Sequence, residues 1–524
     1  MTNDTLNKRV YINKVPSDAG PASFETAISA TGFGRYNLLL ILVIFPAGWS
    51  NSFESSTMSY VFPAAQCDLD LSLEDKGLLN AITYLGMISS GVIWGFLFDT
   101  LGRRKLLMIG YFLDFLCVLV SAFSQTKAML ITAKFFGGFI INGPYSALST
   151  YVSEFHSAKN RGRMQLFIAI VFCWGGIAFP WLSWGILSNN IHFSIFNDSL
   201  RFYSWNILLL ICCLPPIISA IAFAFMPESP KFLMTVGENE KALALFQKMY
   251  SINKRQPPET FPIKQLVNET ELKKTSPNQH GGQVTAKRSQ IEALREGWQQ
   301  IRPLFFPPFL LLLLLICSIQ ALFTMSVNTF RLWLPQIFQA LNDYQYYYDV
   351  SSVDLCKSLE LIRPSNQTDC EFNVDNASVY LNSMIVNITV MLCEILTACL
   401  INSINKKTLL FVLGVFAGGC LFILYFSVNT TFAVSFAALF TGLSTSAANV
   451  VVIVNIALFP TTLRTMSLAT ALMCGRIGSM IGNLVFPLLI QAGCAPPFFT
   501  IGSLAIVSSF VSLLLPNSDM KELI

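Results

Sequence analysis

Charge is what this sequence lacks. Asp, Glu, Lys and Arg make up 12% of its 524 residues, while 53% are hydrophobic and 44 are Phe. The polar surface of a water-soluble protein could not cover that many apolar side chains. The few charges nearly cancel, to a net +4, so no nucleic-acid partner is expected. The phosphate-cradling pattern Gly-x-x-x-x-Gly-Lys-Ser/Thr is missing, which argues against ATP-driven work. No metal-ligand spacing and no nucleophile triad stand out. The 13 cysteines fall mostly inside apolar runs, where buried thiols are the simpler reading. Neither a cofactor nor enzymatic activity is therefore expected. The first 35 residues lack the short apolar core and small-residue cleavage site of a signal peptide, so the first apolar run is expected to remain as an anchor.

Long apolar runs are what the chain has in abundance. Twelve of them, each near the ~20 residues that cross a bilayer core, fall at 36–62, 77–98, 106–125, 128–152, 164–187, 203–225, 309–336, 380–402, 408–427, 432–458, 466–490 and 496–515. Backbone groups in lipid must pair within their own segment, so these are predicted helices. The expected fold is an all-α membrane protein of twelve transmembrane helices in two six-helix bundles, 36–225 and 304–515. They are joined by a polar stretch, 226–303, and flanked by tails 1–35 and 516–524. Within the stretch, the run from Asn239 reads as an amphipathic helix and 256–282 as a flexible linker.

Basic residues set the orientation. The turns after helices 2, 4, 8 and 10 carry Arg103, Arg104 and Lys105; Lys159, Arg161 and Arg163; Lys406 and Lys407; and Arg464. The opposite turns carry acids, among them Asp68, Asp70, Glu74 and Asp75. Both tails and 226–303 are therefore expected in the cytosol and the loop 337–379 outside or in a lumen. That loop holds the sequons at Asn366 and Asn376, expected to carry glycans, and Cys356 and Cys370, expected to pair in an oxidising space. Chance sequons and free thiols are the alternative.

Each charge inside hydrocarbon costs roughly 2.5–3.5 kcal/mol on insertion scales and so marks a candidate site. The candidates are Glu54, Asp114, Lys134, Arg331, Glu394 and Arg476. Lys134 and Arg331 lie near the outer helix ends, where long side chains can snorkel. Glu394 and Arg476 could instead form a structural pair.

The turn Gly95-x-x-x-Asp99-x-x-Gly102-Arg103-Arg104 resembles the signature between helices 2 and 3 of the major facilitator superfamily. The resemblance implies a conformational switch, with Gly95 admitting a neighbouring helix, Asp99 latching a helix end, and Arg103 and Arg104 as its partners. Thr100 stands where the family has a basic residue. The second-half counterpart, Asn402 to Lys407, has neither the Asp nor the Gly. Phe24, Glu25, Gly32, Phe33, Gly34, Arg35 and Tyr36 before helix 1, Tyr151, Glu154, Arg161 and Gly162 after helix 4, Pro227 to Phe232 after helix 6, and Phe459 to Arg464 before helix 11 are similar to the synaptic vesicle glycoprotein 2 group. By that resemblance, Glu54 is a helix-1 acid whose companion is replaced by Asn51. Glu394 and Arg476 match charged positions of helices 8 and 11, the latter shared with organic-anion facilitators. Trp184 and Trp333 match pocket tryptophans suited to stacking on a sugar or flat ion.

The expected function is secondary transport of a small organic solute, sugar-like or ionic, by alternating access, with protons as a candidate coupling ion through Glu54 or Glu394. The expected partners are that solute and membrane lipids. The expected form is a monomer in the plasma membrane or a vesicle membrane. The alternative is a transporter-shaped membrane regulator, favoured by Ala448 and Val452 where the synaptic glycoprotein has polar pocket groups.

Overall fold

The structure is a computed structural model. It describes residues 21–189, 191–195, 200–267, 302–349, 354–360, 376–401, 403–460 and 463–516. The helices follow the apolar runs. They are α1 (Phe24–Thr31), α2 (Arg35–Ala65), α3 (Leu73–Leu101), α4 (Arg103–Ala122), α5 (Lys127–Glu154) and α6 (Ala158–Leu187). A two-stranded hairpin comes next, β1 (His192–Ile195) against β2 (Leu200–Tyr203), with His192 opposite Tyr203. Then follow α7 (Ser204–Cys212), α8 (Leu214–Phe225), α9 (Pro230–Val236) and α10 (Asn239–Lys254). The second half comprises α11 (Phe309–Tyr348), α12 (Leu355–Leu359), α13 (Ala377–Leu400), α14 (Lys406–Leu424), α15 (Thr430–Leu458), α16 (Arg464–Ala492) and α17 (Ala495–Ser512).

Ten of the twelve predicted spans are helical segments long and apolar enough to cross a membrane, α7 and α8 together forming one. The other two, α3 and α5, have 29 and 28 residues and are long enough to do so. Two boundaries depart from expectation. Span six breaks between Cys212 and Leu214, where Pro215 and Pro216 follow; proline has no N–H to give to a preceding turn. Helix α11 runs on to Tyr348, well past the predicted end at 336, as a 40-residue rod.

Local chemistry fixes several ends. Ser72 caps α3 by accepting from the Asp75 amide, and Asp75 returns a carboxylate to the Ser72 amide. Asn429 caps α15 at the Phe432 amide. Gly102 turns the chain from α3 into α4 at φ +84°, a conformation that strains residues bearing a Cβ.

The buried apolar residues sort into four clusters. Two draw on the first half, each toward one end of the bundle, and two on the second. Two residues cross over. Leu73 of α3 is buried in a second-half cluster, and Tyr380 of α13 in a first-half cluster. Both stand at the end that carries the 337–379 loop, hereafter the loop end. At the opposite end α1 packs on α10 through Phe24 and Phe246, and Asn253 of α10 accepts from the Tyr36 amide and donates to Gly32 O. The start of the expected flexible linker is also anchored there, with Phe261, Ile263 and Leu266 buried and Leu266 bridged to Ala22.

Candidate functional site

The charges predicted in the membrane form separate groups. Lys134 does not snorkel. Its ammonium lies 2.9 Å from Glu54 Oε2, and the two side chains are 1% and 2% exposed. Helix α5 places Lys134 toward α2 inside the first bundle, so the aqueous ends are out of reach. Asp114 of α4 joins this interior and accepts from Ser50 Oγ at 2.8 Å. Both carboxyl groups lie in the field of the one ammonium, with only Glu54 in ion-pair contact, and Glu54 Oε1 and Asp114 Oδ1 have no hydrogen-bond donor among the described residues. Asn51 faces the same core, donating to Ala47 O and to the Tyr111 hydroxyl. Glu54 and Asn51 are therefore interior groups of the first bundle.

In the second half, Glu394 and Arg476 do not pair. Glu394 Oε1 accepts from Asn449 Nδ2 at 2.7 Å, joining α13 to α15. Arg476, half-buried on α16, makes no ion pair or hydrogen bond among the described residues. Its electrostatic neighbours are the hydroxyls of Tyr84 on α3 and Tyr145 on α5, both from the other half. Arg331 also reaches across, with Nη2 3.4 Å from Ser56 Oγ on α2, and acts on Tyr84 as well.

The two tryptophans are not brought together. Trp333 is fully buried against Phe486 at a centroid distance of 4.9 Å, a second-half core position that corrects its pocket assignment. Trp184 is half-buried against the first-half cluster at the loop end. Sequence reasoning missed Tyr84, Tyr145 and Asn449. Their signal was present as polar groups within apolar spans, but tyrosine is common in such spans and so carried little weight.

At the helix 2–3 turn, Gly95 and Asp99 lie outside the residues whose side chains are described. Both arginines have partners on α5, α8 and the turn that follows α8. Arg103 Nε lies 3.5 Å from Glu154 Oε2, and its guanidinium stands over Phe232 at 5.1 Å. Ser229 Oγ donates to the same Glu154 carboxylate. The Arg104 amide donates to Glu228 Oε1 at 3.0 Å, and its guanidinium donates to the carbonyls of Phe223 and Ala224 at the end of α8. The Glu154 carboxyl, just past the predicted span, is pushed up by burial against the opposing pull of Ser229 and Arg103.

The loop 337–379 holds two corrections. Cys356 pairs with Cys494 at the start of α17, with Cα atoms 5.4 Å apart, and not with Cys370. The short helix α12 buries Leu355 and Leu359 in the second-half core, which sets Cys356 beside the α16–α17 turn. Cys370 and Asn366 lie outside the described residues, and Cys67 is itself disulfide-bonded. Asn376 is fully buried at the start of α13, and its Oδ1 accepts from Ser188 Oγ at 3.1 Å. An amide so enclosed presents no face for a glycan.

Comparisons with known proteins match this architecture. The profile of the family "Sugar (and other) transporter" matches residues 38–341, and that of the "Major Facilitator Superfamily" matches 364–523. The chain is 26% identical over 329 residues to synaptic vesicle glycoprotein 2B of Rattus norvegicus, covering 62% of this chain and 48% of that protein. It is 22% identical to synaptic vesicle glycoprotein 2C of Mus musculus, covering 95% and 81%. The alignment with the 2B protein spans about half of that relative's length. Among solved structures it superposes on a D-xylose-proton symporter with TM-score 0.62 at 16% identity, covering 93% of this chain and all of that one. An inward-open conformation of the xylose transporter of E. coli gives 0.64 at 15%, covering 93% and 98%. At these identities the likeness is one of fold.

Proposed function

This chain belongs to the sugar (and other) transporter family within the major facilitator superfamily, and on that premise we propose that it is a secondary transporter of a small organic solute bearing an anionic group. The bundles 36–225 and 304–515 rock about the solute, with both tails and 226–303 in the cytosol and 337–379 outside or lumenal. The observation that carries the reading is the unpartnered Arg476. A guanidinium has five N–H donors and is costly to hold at membrane depth without an acceptor. Lys134 has its acceptor in Glu54, and Glu394 has a donor in Asn449. Arg476 has none among the described residues, and it faces hydroxyls of the opposite bundle. A carboxylate or similar group of the solute completes it, with Tyr84 and Tyr145 as further donors.

Proton coupling fits the first-half interior. Glu54 and Asp114 against one Lys134 leave one negative charge in excess, and a bound proton is the least costly way to neutralise it. Release of that proton when the bundle rearranges couples the gradient to movement. The D-xylose-proton symporter of the same fold couples to protons by its name, which is a property of that protein.

The test is a thermal-shift screen of the purified full chain against organic acids, sugars and organic cations. A ligand at 100 times its Kd stabilises by about 2.7 kcal/mol. Organic acids are expected to stabilise the wild type, Arg476→Ala to lose the effect, and Arg476→Lys to keep part of it, since a point charge survives without the fork. Binding unchanged in Arg476→Ala refutes the anion site.

A further inference from the structure

The seam between the halves at the loop end contains one group that the transport reading does not use. Lys76 stands in the first turn of α3, ahead of the predicted span, and is 3% exposed. Its Nζ donates to Gln66 Oε1 at 2.7 Å, just past α2, and to Gln336 Oε1 at 3.1 Å on α11. It thus ties the two halves together where they close. The packing around it is tight. A Cβ on Gly77, the next residue, would come within 2.6 Å of Pro487 and 2.8 Å of Asn483 O on α16. The crossing residues Leu73 and Tyr380, the bond from Ser188 to Asn376 and the bond from Arg331 to Ser56 lie in the same seam.

The charges facing Lys76 are few. On its own helix, Asp75 is taken up by Ser72 and Lys127, and Glu74 points to solvent. Beyond α2, Asp68 accepts from Trp205 Nε1, and Asp70 is exposed. From α11 and α16 the near groups are Gln336, Asn483 and Pro487, all uncharged, and Arg331 lies five residues before Gln336. No carboxylate lies within ion-pair distance of Lys76 among the described residues. Two amide oxygens meet it, which matches the two donors of a neutral amine and leaves the third donor of an ammonium unsatisfied.

We propose that Lys76 is a proton-sensitive lock of the loop-end gate: the closed seam fits the neutral amine, and a proton on Lys76 drives this end open. The inference rests on the alternating-access reading. Burial pushes the Lys76 ammonium down to about 7 in the closed form. In the open form, in water, it returns to about 10.4. The closed form therefore binds the proton less tightly. Its advantage is fully present at high pH, shrinks as pH falls from about 10.4 to about 7, and is level below that.

The test reads the distance between fluorophores carried by unnatural amino acids at positions 74 and 346, in the full chain in lipid nanodiscs. Between pH 8.5 and pH 6 the open-to-closed ratio of the wild type is expected to rise by on the order of tenfold. Lys76→Met should stay closed with no pH response. Gln336→Glu supplies a carboxylate that retains the charged lysine in the seam, so it too should stay closed at pH 6; this variant keeps Lys76 in place should Lys76→Met fold poorly. A pH response persisting undiminished in both variants overturns the proposal. Solute-driven movement without any pH response in the wild type overturns it alone. A distance fixed under every pH and solute class overturns it together with alternating access.

Discussion

Lys134 Nζ lies 2.9 Å from Glu54 Oε2, and both side chains are sealed inside the first bundle. Removing Lys134 strands the buried acids, and removing Glu54 takes away the one carboxylate in ion-pair contact with Lys134, leaving only Asp114 farther off. Glu54→Ala and Lys134→Ala are each expected to cost about 3–5 kcal/mol, whereas the double replacement Glu54→Gln with Lys134→Met should fall close to wild type. Thermal unfolding of the three purified variants checks this. Two single losses that simply add would mean that the charges act independently.

The spans were legible because a bilayer demands long apolar runs and leaves few ways to satisfy the backbone. Partner choice was not. Lys134 sits within a few residues of a helix end, and nothing in its neighbours tells whether it turns to water or to Glu54; that depends on the rotation of α5 against α2. Cys356 lies fourteen positions from Cys370 but pairs across 138 positions with Cys494, because α12 is drawn into the second-half core. Trp333 looked like a pocket residue by resemblance, yet the packing of α11 on α16 turns it onto Phe486. Glu154 and Glu228 were visible as motif residues, but their bond to the arginines of the helix 2–3 turn appears only once α5 and the end of α8 meet there.

The Cys356–Cys494 bridge pins α12 and the loop to α17. Cys356→Ser and Cys494→Ser should each lower stability by about 2–4 kcal/mol, and the double variant by no more than either single. Reductant should lower the melting temperature of the wild type by more than that of the variants, in which the bridge of Cys67 remains to be reduced. A linked peptide containing Cys356 and Cys494 in a non-reduced digest identifies the pair directly. Recovery of Cys356 linked to Cys370 would refute it.

Glycan attachment separates the two loop sequons. With Asn376 enclosed and bonded to Ser188, Asn366 is the expected acceptor. Asn366→Gln should abolish the mobility shift on glycosidase treatment, and Asn376→Gln should retain it. The second change should instead weaken the seam by about 1 kcal/mol, the net worth of one hydrogen bond. A shift lost only in Asn376→Gln reverses the assignment.

Glu154 gives a pH test at the opposite end of the molecule. Its carboxyl is raised above the ordinary range chiefly by burial, with the Ser229 hydrogen bond and Arg103 opposing. A raised folded-state value means that the folded protein holds the proton more tightly than the unfolded chain. The associated stability is present below the ordinary carboxyl value of about 4.3 and is lost as pH rises through the raised one. Glu154→Gln fixes the neutral form and can still accept from Ser229. Its stability relative to wild type should therefore rise from pH 4 toward pH 7, measured as the difference in melting temperature. Glu154→Ala takes from Ser229 Oγ its acceptor and should lose about 1–3 kcal/mol at both pH values. If Glu154→Gln is instead the weaker protein at pH 7 and equal at pH 4, the ion pair with Arg103 outweighs burial. The turn between helices 2 and 3 is then held by that charge pair, and the sign of its pH dependence is reversed.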